Sequence, residues 1–452
     1  MNLVNKRVMV VGLGKSGVAA ARFLHAQGAA VTATDAKTAT VEMSALAAEG
    51  IRVQTGEQQW AGLEEQDCIV ISPGVPVQLP ELERARAAGI AVIGEVELAA
   101  RYLKGRVLAI TGSNGKTTTT ALTGKILAEG GLKTLVGGNI GTPVLELLPQ
   151  STDDGWSVLE ISSFQLETAV EFQPRIAVIL NITPDHLDRH GNFEQYAAEK
   201  RKITARQGPE DYLVLNADDK PTQMTAAKTA AQVFWFSAMR PQVKRGTFVH
   251  QNVVVFVERE GGEMEPVLPV EEIPLKGAHN LENVLAAVCA ARLAGVGAES
   301  IRESVRTFRA VDHRLQFVAK VRGVEWYNDS KATNVDATLK ALASFKGGIH
   351  LILGGKDKNS DYRLLGDLIR ERVTAVYTIG AAAEKIEGQL AGVGKIVSAG
   401  TLAGAVERIA AAAQPGEIAL LAPACASFDQ FQSYEHRGRV FVELVQRIES
   451  GE

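Results

Sequence analysis

Thr111-Gly112-Ser113-Asn114-Gly115-Lys116-Thr117-Thr118 joins an apolar run, Val107 to Ile110, to a hydroxyl-rich helix start. Glycines at 112 and 115 let the backbone turn its N–H groups inward, Lys116 adds a positive charge, and the helix N-terminus adds a partial one. Such a turn holds phosphate. Ile110 stands where the full phosphate-loop pattern has its first glycine, so the loop is a shortened one. In a nucleotide site Lys116 reaches the terminal phosphates and Thr117 is the hydroxyl on the magnesium side.

Further polar residues gather at the ends of apolar runs. Glu160 sits inside Trp156 to Ile161, where a carboxylate is costly unless a cation lies beside it; either a structural ion pair or a magnesium ion opposite Thr117 answers that need. Ile176 to Leu180 empties into a segment holding Asp185, His186, Asp188 and His190, residue types suited to a second metal or to acid–base work, although solvated loop polarity reads the same way. Asn139, in Gly137-Gly138-Asn139-Ile140-Gly141, is expected to contact a ligand on the same rim. Asn280 and Asn283 are three apart, so their amides share one helix face, as caps or as contacts to adenine or phosphate.

Two flanking regions repeat the pattern. Arg7 to Val11 opens into Gly12-Leu13-Gly14-Lys15-Ser16-Gly17, and the next strand ends at Asp35: a dinucleotide fingerprint that any ligand with a ribose and a pyrophosphate, a UDP-linked one included, can use. A turn at Ser72-Pro73-Gly74-Val75 lies on the same rim. A nicotinamide enzyme accounts for this fingerprint but leaves the central loop without purpose. Beyond residue 314, polar clusters follow three apolar strands, at Asn328 to Asn334, Gly354 to Lys358 and Pro423 to Phe431.

These residues need strands that end on a common edge, and strand-like runs alternate with helices throughout. The expectation is an α/β protein of three domains: 1–96, Rossmann-like; 97–310, a P-loop ATP-binding domain with an antiparallel edge, drawn as a hairpin over Val249 to Glu258 and Gly261-Gly262; and 311–452, a second Rossmann-like domain with a parallel sheet. At 452 residues the chain has room for three domains of ~150 each. Phe193 to Arg206 is a charged helix whose composition reads as a solvated face. A net charge of −4 offers no basic excess for nucleic acid, three scattered cysteines suit a reducing compartment, and neither a leader peptide nor a membrane span is evident. Composition points to a cytoplasmic protein.

Seven motifs in one order (Thr-Gly-Ser-Asn-Gly-Lys-Thr-Thr, Gly-Gly-Asn-Ile-Gly, Leu-Glu-Ile-Ser-Ser-Phe-Gln-Leu, Asn-Ile-Thr-Pro-Asp-His-Leu-Asp, His-Asn-Leu-Glu-Asn, Asn-Asp-Ser-Lys-Ala-Thr-Asn and Pro-Ala-Cys-Ala-Ser-Phe-Asp-Gln-Phe) resemble those of the Mur ligases. The resemblance implies an ATP-dependent amide ligase of peptidoglycan synthesis, most similar to the member whose substrates are UDP-N-acetylmuramoyl-L-alanine and D-glutamate, acting through an acyl phosphate, as a monomer, with two Mg²⁺ ions. It implies that Gly112, Ser113, Asn114, Gly115, Lys116, Thr117, Thr118, Asn280, Asn283, Arg314 and Asp329 hold ATP. Thr117 and Glu160 would serve one metal, His186 and a carbamylated Lys200 the other, with Lys116, His186 and Lys200 catalytic. Lys15, Ser16, Asp35, Lys37, Ser72 and Gly74 fall at the uridine diphosphate end of the substrate, and Asn139 is a further substrate contact; Lys331, Thr333, Lys358, Ser427 and Tyr434 fall at D-glutamate.

Overall fold

The structure, a computed structural model, describes residues 2–37, 40–56, 62–275, 277–309 and 313–450; the domain border expected at 310–311 lies outside them. Apolar runs become parallel strands buried on both faces. The first sheet holds β1 (Arg7–Val11), β2 (Ala30–Asp35), β3 (Arg52–Thr55), β4 (Cys68–Ile71) and β5 (Ala91–Gly94) in the order 3-2-1-4-5, every pair parallel. Since β1 is flanked by β2 and β4, the chain leaves it in opposite directions, and a crevice opens at the carboxyl ends. Gly17 is obligatory there: a Cβ would meet the Gly12 carbonyl oxygen at 1.8 Å, so only glycine lets the helix Lys15–Ala26 lie so close to the strand end.

The second sheet contains β6 (Arg106–Thr111), β7 (Thr134–Gly138), β8 (Trp156–Glu160), β9 (Ile176–Ile179), β10 (Tyr212–Asn216), β11 (Gln232–Ser237), β12 (Gly246–His250), β13 (Val253–Val257) and β14 (Glu265–Pro269). Its order is 14-13-12-11-10-9-6-8-7, which sets β6 between β8 and β9 and places Ile110 beside Glu160. The antiparallel edge differs in detail from the expected hairpin. Val249–Glu258 is interrupted by a two-residue turn at Gln251 and Asn252, both at positive φ (48° and 63°), which pairs β12 with β13; the Gly261-Gly262 turn then returns the chain as β14. β14 is the outermost strand and carries Pro266 and Pro269.

The third sheet runs β15 (Gln316–Val321), β16 (Val324–Asn328), β20 (Ile418–Leu421), β17 (Ile349–Gly354), β18 (Val373–Ile379) and β19 (Ile396–Gly400). It is not wholly parallel, as the sequence suggested: β15 pairs antiparallel with β16 and forms an edge. Among the described residues no helix is long and apolar enough to cross a membrane.

The first two sheets belong to one compact unit, and the third sheet belongs to another that also takes in 185–188 and 273–281. Within the first unit, Val10, Leu24, Val70 and Leu98 share a continuous core with Ala109, Leu145, Leu159 and Leu213. Two buried carboxylates on the helix Glu95–Ala100 stitch this seam. Glu97 accepts from the backbone N–H groups of Val170 (2.8 Å) and Glu171 (2.9 Å) and pairs with Arg101 at 3.0 Å. Glu95 Oε1 accepts from Leu145 N–H at 3.0 Å, whereas its Oε2 has no partner.

Burial pushes the Glu95 carboxyl from the ordinary 4.5 up to about 7, against the pull of the Leu145 and Val144 amides. A folded-state value above the unfolded one means that its stabilising share is complete below pH 4.5 and is lost as pH rises through about 7. Glu95→Gln should therefore gain on the parent between pH 4.5 and 8 by on the order of 2–3 kcal/mol, read from denaturant midpoints at both pH values. A difference that does not change with pH contradicts the assignment.

Candidate active site

The phosphate-loop residues close on themselves. Gly115 adopts φ +85°, and a Cβ there would lie 2.1 Å from Asn283 Oδ1, so the second glycine is fixed both by backbone conformation and by the amide packed over it. Lys116 Nζ donates to the carbonyl oxygens of Gly112 (2.8 Å) and Ser113 (3.0 Å). Asn181, at the end of β9, braces the loop from below: its side chain accepts from Asn114 N–H at 2.8 Å and donates to Asn114 C=O at 3.1 Å, while its own carbonyl takes the Ser113 N–H. Sequence reasoning assigned Asn181 no role, although it opens the Asn-Ile-Thr-Pro-Asp-His motif. Thr118 is buried as the third residue of the helix Lys116–Glu129.

Thr117 Oγ1 donates to Glu160 Oε2 at 2.8 Å, and Asn139 Nδ2 donates to Glu160 Oε1 at the same distance, so three strand ends meet at one buried carboxylate. A hydroxyl and a carboxylate are hard oxygen donors, few enough to leave room for phosphate oxygens and water; this donor set suits Mg²⁺. Among the described residues, no three His, Cys, Asp or Glu side chains converge as a metal cluster. Asn280 and Asn283 are both buried; the helix begins at Ala278, so neither is its N-cap.

Lys200 corrects the reading of its helix as a solvated face. The helix spans Phe193–Arg201, and Tyr196, Ala197 and Lys200 form its buried side. Lys200 is only 1% exposed; its Nζ donates to the Gly112 carbonyl at 2.8 Å and lies 4.7 Å from the centre of the Tyr196 ring. The signal was present in the spacing, since residues 196 and 200 share a helix face. His190 is buried as well, its Nε2 3.1 Å from Ser163 Oγ and its Nδ1 3.5 Å from Glu167.

The crevice of the first sheet is a cavity of about 500 Å³ lined by Gly12, Gly14, Lys15, Ser16, Asp35, Lys37 and 72–76, which brings together the expected uridine-end residues. Asp35 shapes it, accepting from the N–H groups of Leu13 (2.6 Å) and Lys37 (2.8 Å), and Ser72 Oγ donates to the Gly12 carbonyl at 2.7 Å.

In the other unit, the loops after β16 and β20 meet at the start of the helix Tyr434–Ser450. Arg437, unforeseen, joins them. Fully buried, it donates to Ser330 Oγ (2.9 Å), Ser330 C=O (2.8 Å) and Cys425 C=O (3.1 Å). Burial lowers this guanidinium to about 10, still charged at neutral pH. Lys331 Nζ lies 5.1 Å from the centre of the Tyr434 ring, Thr333 N–H donates to the Lys331 carbonyl, and Ser427 is buried in the β20 loop. Burial pushes Asp329 up to about 6, opposed chiefly by Arg314. His186, at φ +53°, donates its N–H to Asp185 Oδ1; Lys358 Nζ lies 3.9 Å from the same carboxylate, and Asn334 donates to it at 3.0 Å.

Three comparisons bear on this arrangement. Residues 6–94 match the Mur ligase MurD-like N-terminal domain, 110–291 the Mur ligase middle domain and 313–425 the Mur ligase glutamate ligase domain. The chain is 60% identical to the UDP-N-acetylmuramoylalanine–D-glutamate ligase of Acidobacterium capsulatum, covering 98% of this chain and 97% of that one. It is 58% identical to the enzyme of the same name from Koribacter versatilis, covering 99% of each. Its fold is similar to that of UDP-N-acetylmuramate-alanine ligase MurC from Thermotoga maritima (TM-score 0.64, 20% identity, 99% and 100% covered). MurF ligase from the same organism, solved in complex with ADP, is also similar (TM-score 0.60, 16% identity, 99% and 96% covered).

Gly115→Ala tests the loop. With the Cβ forced onto Asn283 and φ in the left-handed region, affinity for ADP should fall by about tenfold or more in calorimetric titration. Unchanged affinity means that the loop does not hold phosphate.

Proposed function

Since the chain belongs to the Mur ligase family, we propose that it joins D-glutamate to the carboxylate of UDP-N-acetylmuramoyl-L-alanine at the expense of ATP, a cytoplasmic step of peptidoglycan precursor synthesis. The observation that carries the reading is that Lys116 and Lys200 both donate to the Gly112 carbonyl of the loop, while the adjoining Thr117 donates to the buried Glu160. In this reading the substrate carboxylate attacks the terminal phosphate of ATP, and the D-glutamate amine then takes the acyl group from the acyl phosphate, releasing phosphate. Two anions must come within bonding distance, so fixed positive charge has to screen them. Lys116 supplies it from the chain, and Thr117 and Glu160 would hold Mg²⁺, which would add Lewis-acid charge neutralisation.

The remaining roles are those that the resemblance implies. The cavity beside Asp35 takes the uridine diphosphate end, with Lys15, Ser16, Lys37, Ser72 and Gly74 on its walls. Asn280, Asn283, Arg314 and Asp329 complete the ATP contacts. Lys331, Lys358, Thr333, Ser427 and Tyr434 receive an amino acid whose two carboxylates need cations and hydroxyls. By the same resemblance Lys200, as its carbamate, and His186 would hold a second metal; an ammonium cannot ligate a cation, whereas a carbamate oxygen can.

Sustained phosphate release that requires the muramoyl nucleotide and D-glutamate together is the expected result of a coupled assay; sustained release with neither of them present points to a plain ATPase. Lys116→Ala should lower turnover by about a hundredfold or more yet keep affinity for the UDP substrate within about twofold, because the uridine end is held by the first domain. Lys200→Ala should be inactive and partly rescued by short carboxylic acids. An active Lys200→Ala enzyme rules out the carbamate.

A further inference from the structure

Arg189 follows directly on the Asp185–Asp188 segment, yet its guanidinium points into the first domain. It donates to the carbonyl oxygens of Gly74 (3.3 Å) and Val75 (2.8 Å), both on the wall of the cavity beside Asp35. Glu167 anchors it by a hydrogen bond of 2.6 Å, and the ring of Phe164 lies 4.8 Å from its centre. Both partners of the ion pair are largely buried, so it is poorly screened by solvent.

From Glu167 the contacts continue without a gap. Glu167 meets His190 Nδ1 at 3.5 Å; the imidazole packs against Tyr196 with ring centres 5.3 Å apart; and the Tyr196 hydroxyl lies 2.9 Å from Ser113 Oγ in the phosphate loop. All these residues lie in the first compact unit. A charged, planar fork thus holds two consecutive main-chain carbonyls at once.

We propose that Arg189 is a positioning residue: through Glu167, His190 and Tyr196 it holds the 72–76 wall of the nucleotide-sugar cavity in fixed register with the phosphate loop, so that the substrate carboxylate arrives where the phosphate is presented. The proposal rests on the function proposed above. Its logic is that of proximity, since a misplacement of about 1 Å costs about a hundredfold in rate. His190 and Glu167 thereby gain a purpose that requires neither a metal nor a proton transfer.

Two measurements on the full-length enzyme decide it. In Arg189→Ala, kcat should fall by about tenfold or more and KM for UDP-N-acetylmuramoyl-L-alanine should rise, while KM for ATP stays within about twofold; Arg189→Lys, which keeps the charge but not the fork, should fall between and serves alone if the alanine variant does not fold. In the free enzyme, amide exchange followed by mass spectrometry should quicken in the peptide covering 72–79 and not in that covering 7–11. Equal rises in both KM values, or unchanged exchange at 72–79, overturn the proposal. The link to the phosphate loop is read from Arg189→Ala combined with Tyr196→Phe: losses in kcat/KM that multiply in full overturn it, and a smaller combined loss supports it. A parent enzyme that turned over no muramoyl nucleotide would end the functional reading, while the exchange measurement would still decide the clamp.

Discussion

A carboxylate enclosed by apolar strands is costly unless its oxygens are met, and Glu160 brings that condition to the middle of the molecule. Its two oxygens draw in Thr117 from the start of the helix after β6 and Asn139 from the turn after β7. Gly138 leaves the space: a Cβ there would sit 2.3 Å from the Glu160 carbonyl oxygen. A single charge thus sets the register of three strand ends, and the phosphate loop inherits its position from them.

The other unit meets a similar demand with the opposite sign. Arg437 is enclosed with main-chain carbonyls and one hydroxyl as acceptors, and those acceptors belong to the loops that carry Lys331 and Ser427. A carboxylate gathering donors and a guanidinium gathering acceptors are the same solution to desolvation. Each converts the cost of burial into a constraint on loops that could otherwise adopt many conformations.

The sequence made the chemistry legible wherever a glycine or a charge interrupted an apolar strand. Gly12, Gly112, Gly115, Glu160 and the Asn328–Asn334 cluster stand at such points, and so the strand-to-helix turns could be placed from the residues alone. What escaped detection was long-range. Asn181, Tyr196 and Arg437 act on residues from 67 to 107 positions away, and nothing local marks an asparagine as a brace or an arginine as a keystone. Helical spacing held a partial clue, since Arg437, Phe441 and Val445 fall on one buried stripe and Tyr196 and Lys200 on another. β3, β15 and β19 were missed because their residues are half exposed and lack the apolar continuity of central strands.

The prolines of β14 bear on more than the ladder they flank. An outermost strand offers a row of free amide hydrogens to any extended segment that drifts past, and strand-by-strand growth of that kind is how soluble sheets become fibrils. Pro266 and Pro269 delete two of those hydrogens from a strand of five residues. On this side the nine-stranded sheet therefore terminates in a segment poorly able to template another chain.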